Sequence, residues 1–171
     1  MERRNFLWWG GGMAAVFSLS PRLAIGGSVV EIAMQGRPDG SKVWFDPYGV
    51  LIQPGQTVRW TNKDKGNAHT ATAYALENYD HPRRMPEGAK PFDSDYLLPD
   101  ESFEVTLDVP GLYDYFCLPH ELSGMVGRIV VAAPEQTGFA DYPDGDLNAE
   151  IIAGFPAVTD ILARGSLQKD E

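Results

Sequence analysis

The sequence is poorest in the residues that most often build sites. Among 171 residues there is one cysteine, Cys117, and there are three histidines, His69, His81 and His120. A single thiol excludes an internal disulfide, a CxxC redox pair, a four-cysteine zinc site and an iron–sulfur cluster within one chain. Basic residues are also scarce, with 14 Lys and Arg against 24 Asp and Glu and a net charge of −10. A general nucleic-acid binder needs a basic face to neutralise phosphates, so no nucleic-acid partner is expected. There is no internal repeat, and the only low-complexity stretch is Gly10-Gly11-Gly12. Core material is ample: 43% of residues are hydrophobic and 11% aromatic. That composition argues against whole-chain disorder and suits one domain with extensions. What stays open for chemistry is a site built from one thiolate and one or more imidazoles.

The N-terminus reads as targeting. Arg3 and Arg4 make a short basic start, and Phe6–Ser18 is apolar but too short for a membrane span. Arg3-Arg4-Asn5-Phe6-Leu7 is similar to the twin-arginine export pattern, with Glu2 and Trp8 as departures from its usual flanks. Residues 1–26 are therefore expected to be an export signal, cleaved near Ala24-Ile25-Gly26 or kept as an anchor. The destination is then the periplasm or the outer face of the cytoplasmic membrane. Residues 1–26 hold three Arg and one Glu, so the remaining 145 residues carry 11 basic and 23 acidic groups, net −12. A lone thiol in an oxidising compartment asks for a reason, such as a metal ligand.

Short alternating runs separated by Pro/Gly turns follow. Strands are expected at Val29–Met34, Val43–Phe45, Val50–Ile52, Thr57–Trp60, His69–Ala75, Ser102–Asp108, Leu112–Cys117 and Met125–Ala132. Seven or eight such strands predict an all-β fold, an antiparallel sandwich. Leu76–Asp95, with Pro82, Pro86 and Pro91, reads as a long loop insertion with at most a short helical turn. Asp146–Leu162 has helical spacing interrupted by Pro156, which predicts two short helices packed on the sandwich, or a tail. The expected division is 1–26 signal, 27–134 sandwich domain and 135–171 C-terminal extension.

The informative stretch is Tyr113–Met125, where Cys117, His120 and Met125 give the spacing C-x2-H-x4-M. A thiolate and a thioether favour Cu(I), and imidazole serves both copper oxidation states. A second imidazole is needed to complete a trigonal His2Cys set with a long axial Met. His69 is the best candidate for it, standing after a Gly/Asn loop, with His81 its only competitor.

The chain resembles the cupredoxins, in particular the plastocyanin, pseudoazurin and halocyanin branch. The residues that carry the resemblance are Pro54–Asn62 (PGQTVRWTN), Ala68-His69-Thr70, Pro110–Cys117 (PGLYDYFC) and Pro119-His120-Glu121 through Gly124–Gly127. The likeness spans about Val29 to Ala133 and implies a Greek-key β-sandwich holding one type 1 copper near one end. It also implies His69, Cys117 and His120 as equatorial ligands and Met125 as the axial one, with the edge of His120 in an apolar patch as the electron port. Leu118, Pro119 and Leu122 are the candidate rim of that port.

Asn62, Thr70 and Pro119 are expected to hold the ligand loops, partly through backbone donation to the sulfur. Trp60 and Phe116 are expected in the core. His81 is expected to be a solvated loop residue, with a weak second copper site at His81 and Met85 as the minor reading. The expected function is one-electron transport between redox partner proteins (a cytochrome, oxidase, reductase or photosynthetic complex), with no substrate transformed and no enzyme activity. The acidic surface suggests a basic docking face on the partner. Membrane contact is expected only through a partner or an uncleaved signal. The alternative is extracytoplasmic copper binding, delivery or tolerance, which the lack of Met- or His-rich tracts disfavours.

Overall fold

The computed structural model describes residues 28–133, 136 and 138–169. The expected export signal lies outside them. Two sheets form the molecule. One has the order β2-β1-β4-β6, built from β1 (Val30–Gly36), β2 (Val43–Asp46), β4 (Gln56–Asn62) and β6 (Ser102–Leu107). The other has the order β5-β7-β8-β3-β9, built from β3 (Gly49–Ile52), β5 (Thr72–Ala73), β7 (Gly111–Phe116), β8 (Val126–Val131) and β9 (Ser166–Leu167).

The β-sandwich is as expected, but it is not purely antiparallel. β1 pairs parallel with β4, and β3 pairs parallel with β8. Alternation of apolar and polar residues is the same for either pairing direction, so the sequence pattern could not distinguish them. Strand β4 shows how the pattern works. Val58 and Trp60 are fully buried, while Thr57, Arg59 and Thr61 face outward. The outward three meet Thr106, Glu104 and Ser102 of β6 at 2.8, 2.6 and 2.9 Å. Burying each large apolar side chain contributes about 1.5–3 kcal/mol, whereas the exposed Arg59–Glu104 pair is screened by solvent and adds little.

The space between the sheets is filled by Ile32, Met34, Phe45, Val58, Trp60, Tyr113, Tyr115 and Ile129, among others. Trp60 stands there edge-on to Tyr115, 5.4 Å between ring centroids. Phe116, expected in the same core, belongs to a smaller cluster outside the second sheet with Tyr74, Val126 and Ile151.

That outer cluster exists because the C-terminal segment folds back. Helices α1 (Ala149–Gly154) and α2 (Val158–Arg164) are separated at Phe155-Pro156-Ala157, where proline stops the first. The Asn148 side chain accepts from the N–H of Ile151 and starts α1. Val158 and Ile161 of α2 bury against Leu112, Val130 and Ala132. Strand β9, which carries no strand signal of its own, pairs antiparallel with β3. A buried ionic cluster fixes the same face: Arg84 and Arg128 both bond the fully buried Asp114, and both guanidinium groups lie over the Phe155 ring.

The insertion after Ala75 contains no helix among the described residues and runs as turns and bends. The expected strand at 69–75 shrinks to Thr72–Ala73, with an isolated bridge between His69 and Leu97. Among the described residues no helix is long and apolar enough to cross a membrane.

Candidate metal centre

The centre forms where the end of β7 meets the segment entering β5. Cys117 follows Phe116 at the end of β7, and the next residues wind into a 3-10 turn, Leu118–Ser123, opened by Pro119. Gly124 ends the turn at φ 73°, a left-handed conformation that glycine adopts without strain. Backbone bonds tie the loop shut: His120 N–H donates to Cys117 O at 3.0 Å, Met125 N–H to His120 O at 3.2 Å, and Cys117 N–H to Met125 O at 3.0 Å. The short sequence spacing of the three residues is thereby converted into spatial proximity.

His69 arrives from the other side. Its Nδ1 and that of His120 each lie 3.5 Å from the Cys117 sulfur, and the three donor atoms are all within 4.8 Å of one another. For metal–donor bonds of about 2.0–2.3 Å, donors spread trigonally around one ion stand roughly 3.5–4 Å apart, so the observed spacing fits a single metal. The donor set, one thiolate and two imidazoles, suits copper. Met125 is fully buried at the end of the same loop. The four residues expected from the sequence are thus gathered at one end of the sandwich, with His69 and Cys117 fully buried and His120 half-exposed.

The electrostatics favour neutral groups until a metal enters. Burial pushes the Cys117 thiol up to about 12, opposed by the Thr70 N–H that donates to its sulfur. Burial holds His69 below the ordinary imidazole value, against the pull of Asp64. Burial and the neighbouring His69 do the same to His120. Both imidazoles therefore keep a lone pair free for coordination.

The supporting residues are partly those expected. Thr70 donates its N–H to Cys117 Sγ at 3.3 Å, and its Oγ1 accepts from the N–H of Leu118 at 2.8 Å. Asn62 donates to the carbonyls of Asn67 and Leu97, pinning the loop that delivers His69. Pro119 has no N–H and contributes by starting the 3-10 turn. Around the half-exposed His120 ring, Leu122 is 72% exposed, Pro119 is exposed and Leu118 is half-buried.

Asp64 was not singled out by the sequence. Its carboxylate is buried and bonded to the far side of the His69 ring, Oδ2 to Nε2 at 3.1 Å. Burial opposes its ionisation, but donation from Asn67, Gly66 and His69 outweighs this and holds it below the usual carboxylate range.

His81 is not a solvated loop residue. Its ring packs edge-on to Phe116 and Tyr74, and its Nε2 lies 3.5 Å from the Glu121 carboxylate, which also accepts the Tyr74 hydroxyl at 2.6 Å. Met85 is buried in the core between the sheets. The two side chains pack in different places, so the second copper pair considered from the sequence is not assembled.

Comparison with known proteins agrees with this geometry. Residues 32–132 match the family described as copper binding proteins, plastocyanin/azurin family. A plastocyanin from Scenedesmus fuscus is 36% identical over 105 residues, 59% of this chain and 99% of that one. The chloroplastic plastocyanin of Oryza sativa subsp. indica is 32% identical over 124 residues, 70% of this chain and 75% of that one. Amicyanin-alpha of Methylorubrum extorquens is 31% identical over 124 residues, 69% of this chain and 93% of that one. Among solved structures, a pseudoazurin from Sinorhizobium superposes with a TM-score of 0.52 at 28% identity, covering 80% of this chain and 98% of its own.

Proposed function

We propose that this chain, which belongs to the plastocyanin/azurin family of copper-binding proteins, is a one-electron carrier whose copper is held by His69, Cys117, His120 and Met125. The observation that carries the ligand assignment is the convergence of His69 Nδ1, His120 Nδ1 and Cys117 Sγ from two separate segments onto one small volume. Copper, when bound, supplies the one-electron couple between its +2 and +1 states.

The chain's own residues prepare the site for that exchange. Cys117 would hold the metal as its thiolate, and the Thr70 N–H that donates to its sulfur would support the negative charge. The bonded loop between Cys117 and Met125 and the Asn62 clamp hold the donors in fixed places, so a change of charge finds little to rearrange. Fully buried His69, Cys117 and Met125 exclude water on the inner side. The half-exposed His120 ring, bordered by Pro119 and Leu122, is the path by which an electron enters and leaves.

Redox partner proteins dock over that ring, and the acidity of the chain favours a partner with a basic face. Contacts of this kind are small and short-lived, as a shuttle requires. The twin-arginine-like N-terminus supports export to the periplasm. The copper-delivery alternative would use the same four ligands with His81 and Met85 as an added pair, and Met85 lies in the core.

Copper-loaded protein is expected to show an intense visible thiolate-to-copper band, absent in Cys117→Ser, and fast reversible electron exchange with a cytochrome. Transfer of copper to an apo-acceptor without electron exchange would replace the carrier reading with delivery.

A further inference from the structure

The two imidazoles that face Cys117 differ on their far sides. His120 is half-exposed, whereas His69 is fully buried with its Nε2 3.1 Å from Oδ2 of Asp64. The carboxylate is only 4% exposed and is held by two further donors, the N–H of Gly66 on Oδ1 at 2.8 Å and Asn67 Nδ2 on Oδ2 at 2.7 Å. Its own backbone N–H donates to Asn62 Oδ1 and to Met34 O. Every donor aimed at the carboxylate requires it to accept.

The neighbouring strand leaves room for the group. Gly36, the last residue of β1, has no side chain, and a Cβ there would lie 1.9 Å from Asp64 Oδ2. A charged carboxylate is thus seated in a cradle made by the end of β1 and the loop leaving β4, pressed against one face of the centre.

We propose that Asp64 is a positioning residue that fixes the His69 ring with Nδ1 toward the metal and lowers the Cu(II)/Cu(I) reduction potential of this chain. The inference rests on His69 being a copper ligand, as argued above. A carboxylate on the second nitrogen locks the tautomer in which Nδ1 carries the lone pair, and it makes the imidazole a stronger donor. Its negative charge, one ring away in a water-poor setting, favours the more positive copper state. The metal site is therefore asymmetric: one imidazole is anchored by a buried anion, and the other is open to a partner.

The test is the potential of copper-loaded Asp64→Asn, measured beside wild type and Asn67→Ala. Asn keeps the shape of the side chain and removes the charge. The expected result is retention of the visible band with the potential raised by at least the equivalent of a tenfold change in the Cu(II)/Cu(I) ratio, about 59 mV for one electron. Asn67→Ala strips a competing donor from Oδ2 without touching the charge, so its potential is expected to fall or stay level. A rise of similar size in both variants would mean that loosening of the loop, not the carboxylate, moves the potential, and would overturn the proposal. An unmoved potential in Asp64→Asn would also overturn it.

A metal-free readout accompanies these. In the apo-protein the Nε2 proton of His69 is expected to exchange slowly in the nitrogen-resolved NMR spectrum and to become fast in Asp64→Ala, which removes the acceptor; equal exchange rates count against the hydrogen bond itself. A wild type that takes up no copper overturns the carrier reading together with this one. A blue, redox-active wild type with the negative outcomes above overturns this one alone.

Discussion

Thr70 holds Cys117 from two directions: its backbone N–H donates to the sulfur at 3.3 Å, and its hydroxyl accepts from the N–H of Leu118, the residue that follows the cysteine, at 2.8 Å. The segment that delivers His69 is thereby fastened to the loop that carries Cys117, His120 and Met125. Thr70→Val keeps the backbone donor and the side-chain shape but removes the acceptor, leaving the Leu118 N–H without its partner. The expected loss of stability is about 1–3 kcal/mol, read as a lower urea midpoint at unchanged slope, with the visible band retained. Wild-type stability in this variant would show that the hydroxyl does not help close the loop.

Met125 enters the centre through the backbone that returns from His120, and its side chain is fully buried. In the proposed ligand set Met125 is the long axial thioether, which would contribute little to holding copper and much to setting its potential. Met125→Leu is expected to bind copper with the band intact and to show a raised reduction potential, because the replacement withdraws a donor that the more positive state uses more. Voltammetry checks this, and loss of copper altogether would mean that Met125 is a principal ligand.

Much of this centre was legible because most of its proposed ligands are local. Cys117, His120 and Met125 stand close in sequence, and the short 3-10 helix ended by Gly124 brings them together. Asp64 was not legible. Its contact with His69 depends on the exit of β4, and its seat depends on the end of β1 at Gly36, a distant residue whose contribution is the absence of a side chain. The run 69–75 illustrates the opposite error. Its alternation suggested a full strand, yet the Thr70 N–H goes to sulfur, so the ladder there is short. His81 stood in a polar, proline-rich stretch that suggested solvent, and only the fold brings Glu121, Tyr74 and Phe116 to it.

Two tyrosines should make the fold sensitive to alkali. Burial pushes the Tyr113 and Tyr142 hydroxyls up to about 12, and each donates to a carbonyl, Val109 O at 2.7 Å and Leu112 O at 3.0 Å. The folded chain therefore holds these protons more tightly than the unfolded chain, whose tyrosines titrate near 10. Their contribution is fully present below pH 10 and is lost as pH rises toward 12. Unfolding followed by phenolate absorption should steepen across that window, and Tyr142→Phe should make it less steep. An unchanged alkaline profile in that variant would remove Tyr142 from the account.

An ionic cluster lies under the C-terminal segment. Asp114 accepts from Arg84 Nε at 2.9 Å and from Arg128 Nε and Nη2 at 2.6 and 3.0 Å. The same two arginines reach the carbonyls of Pro143 and Pro156, so the cluster ties the extension to β7 and β8. Asp141, the other carboxylate on Arg128, is largely exposed and supplies a weaker charge. Asp114→Asn would leave two buried cations short of their main anion, and breaking one partner of a buried pair costs about 3–5 kcal/mol. Replacing Asp114 by Leu together with Arg128 by Met removes one charge of each sign, and apolar replacements of buried pairs are often close to neutral. The double variant should therefore be less destabilised than the sum of its two single variants, a coupling that a double-mutant cycle measures. The visible copper band should survive throughout, because the cluster holds the outer face of the sheet while the proposed ligands are held by Thr70, Asn62 and their own loop. Additive losses in the cycle would mean that Asp114 and Arg128 do not depend on each other, and that the helices alone dock the extension.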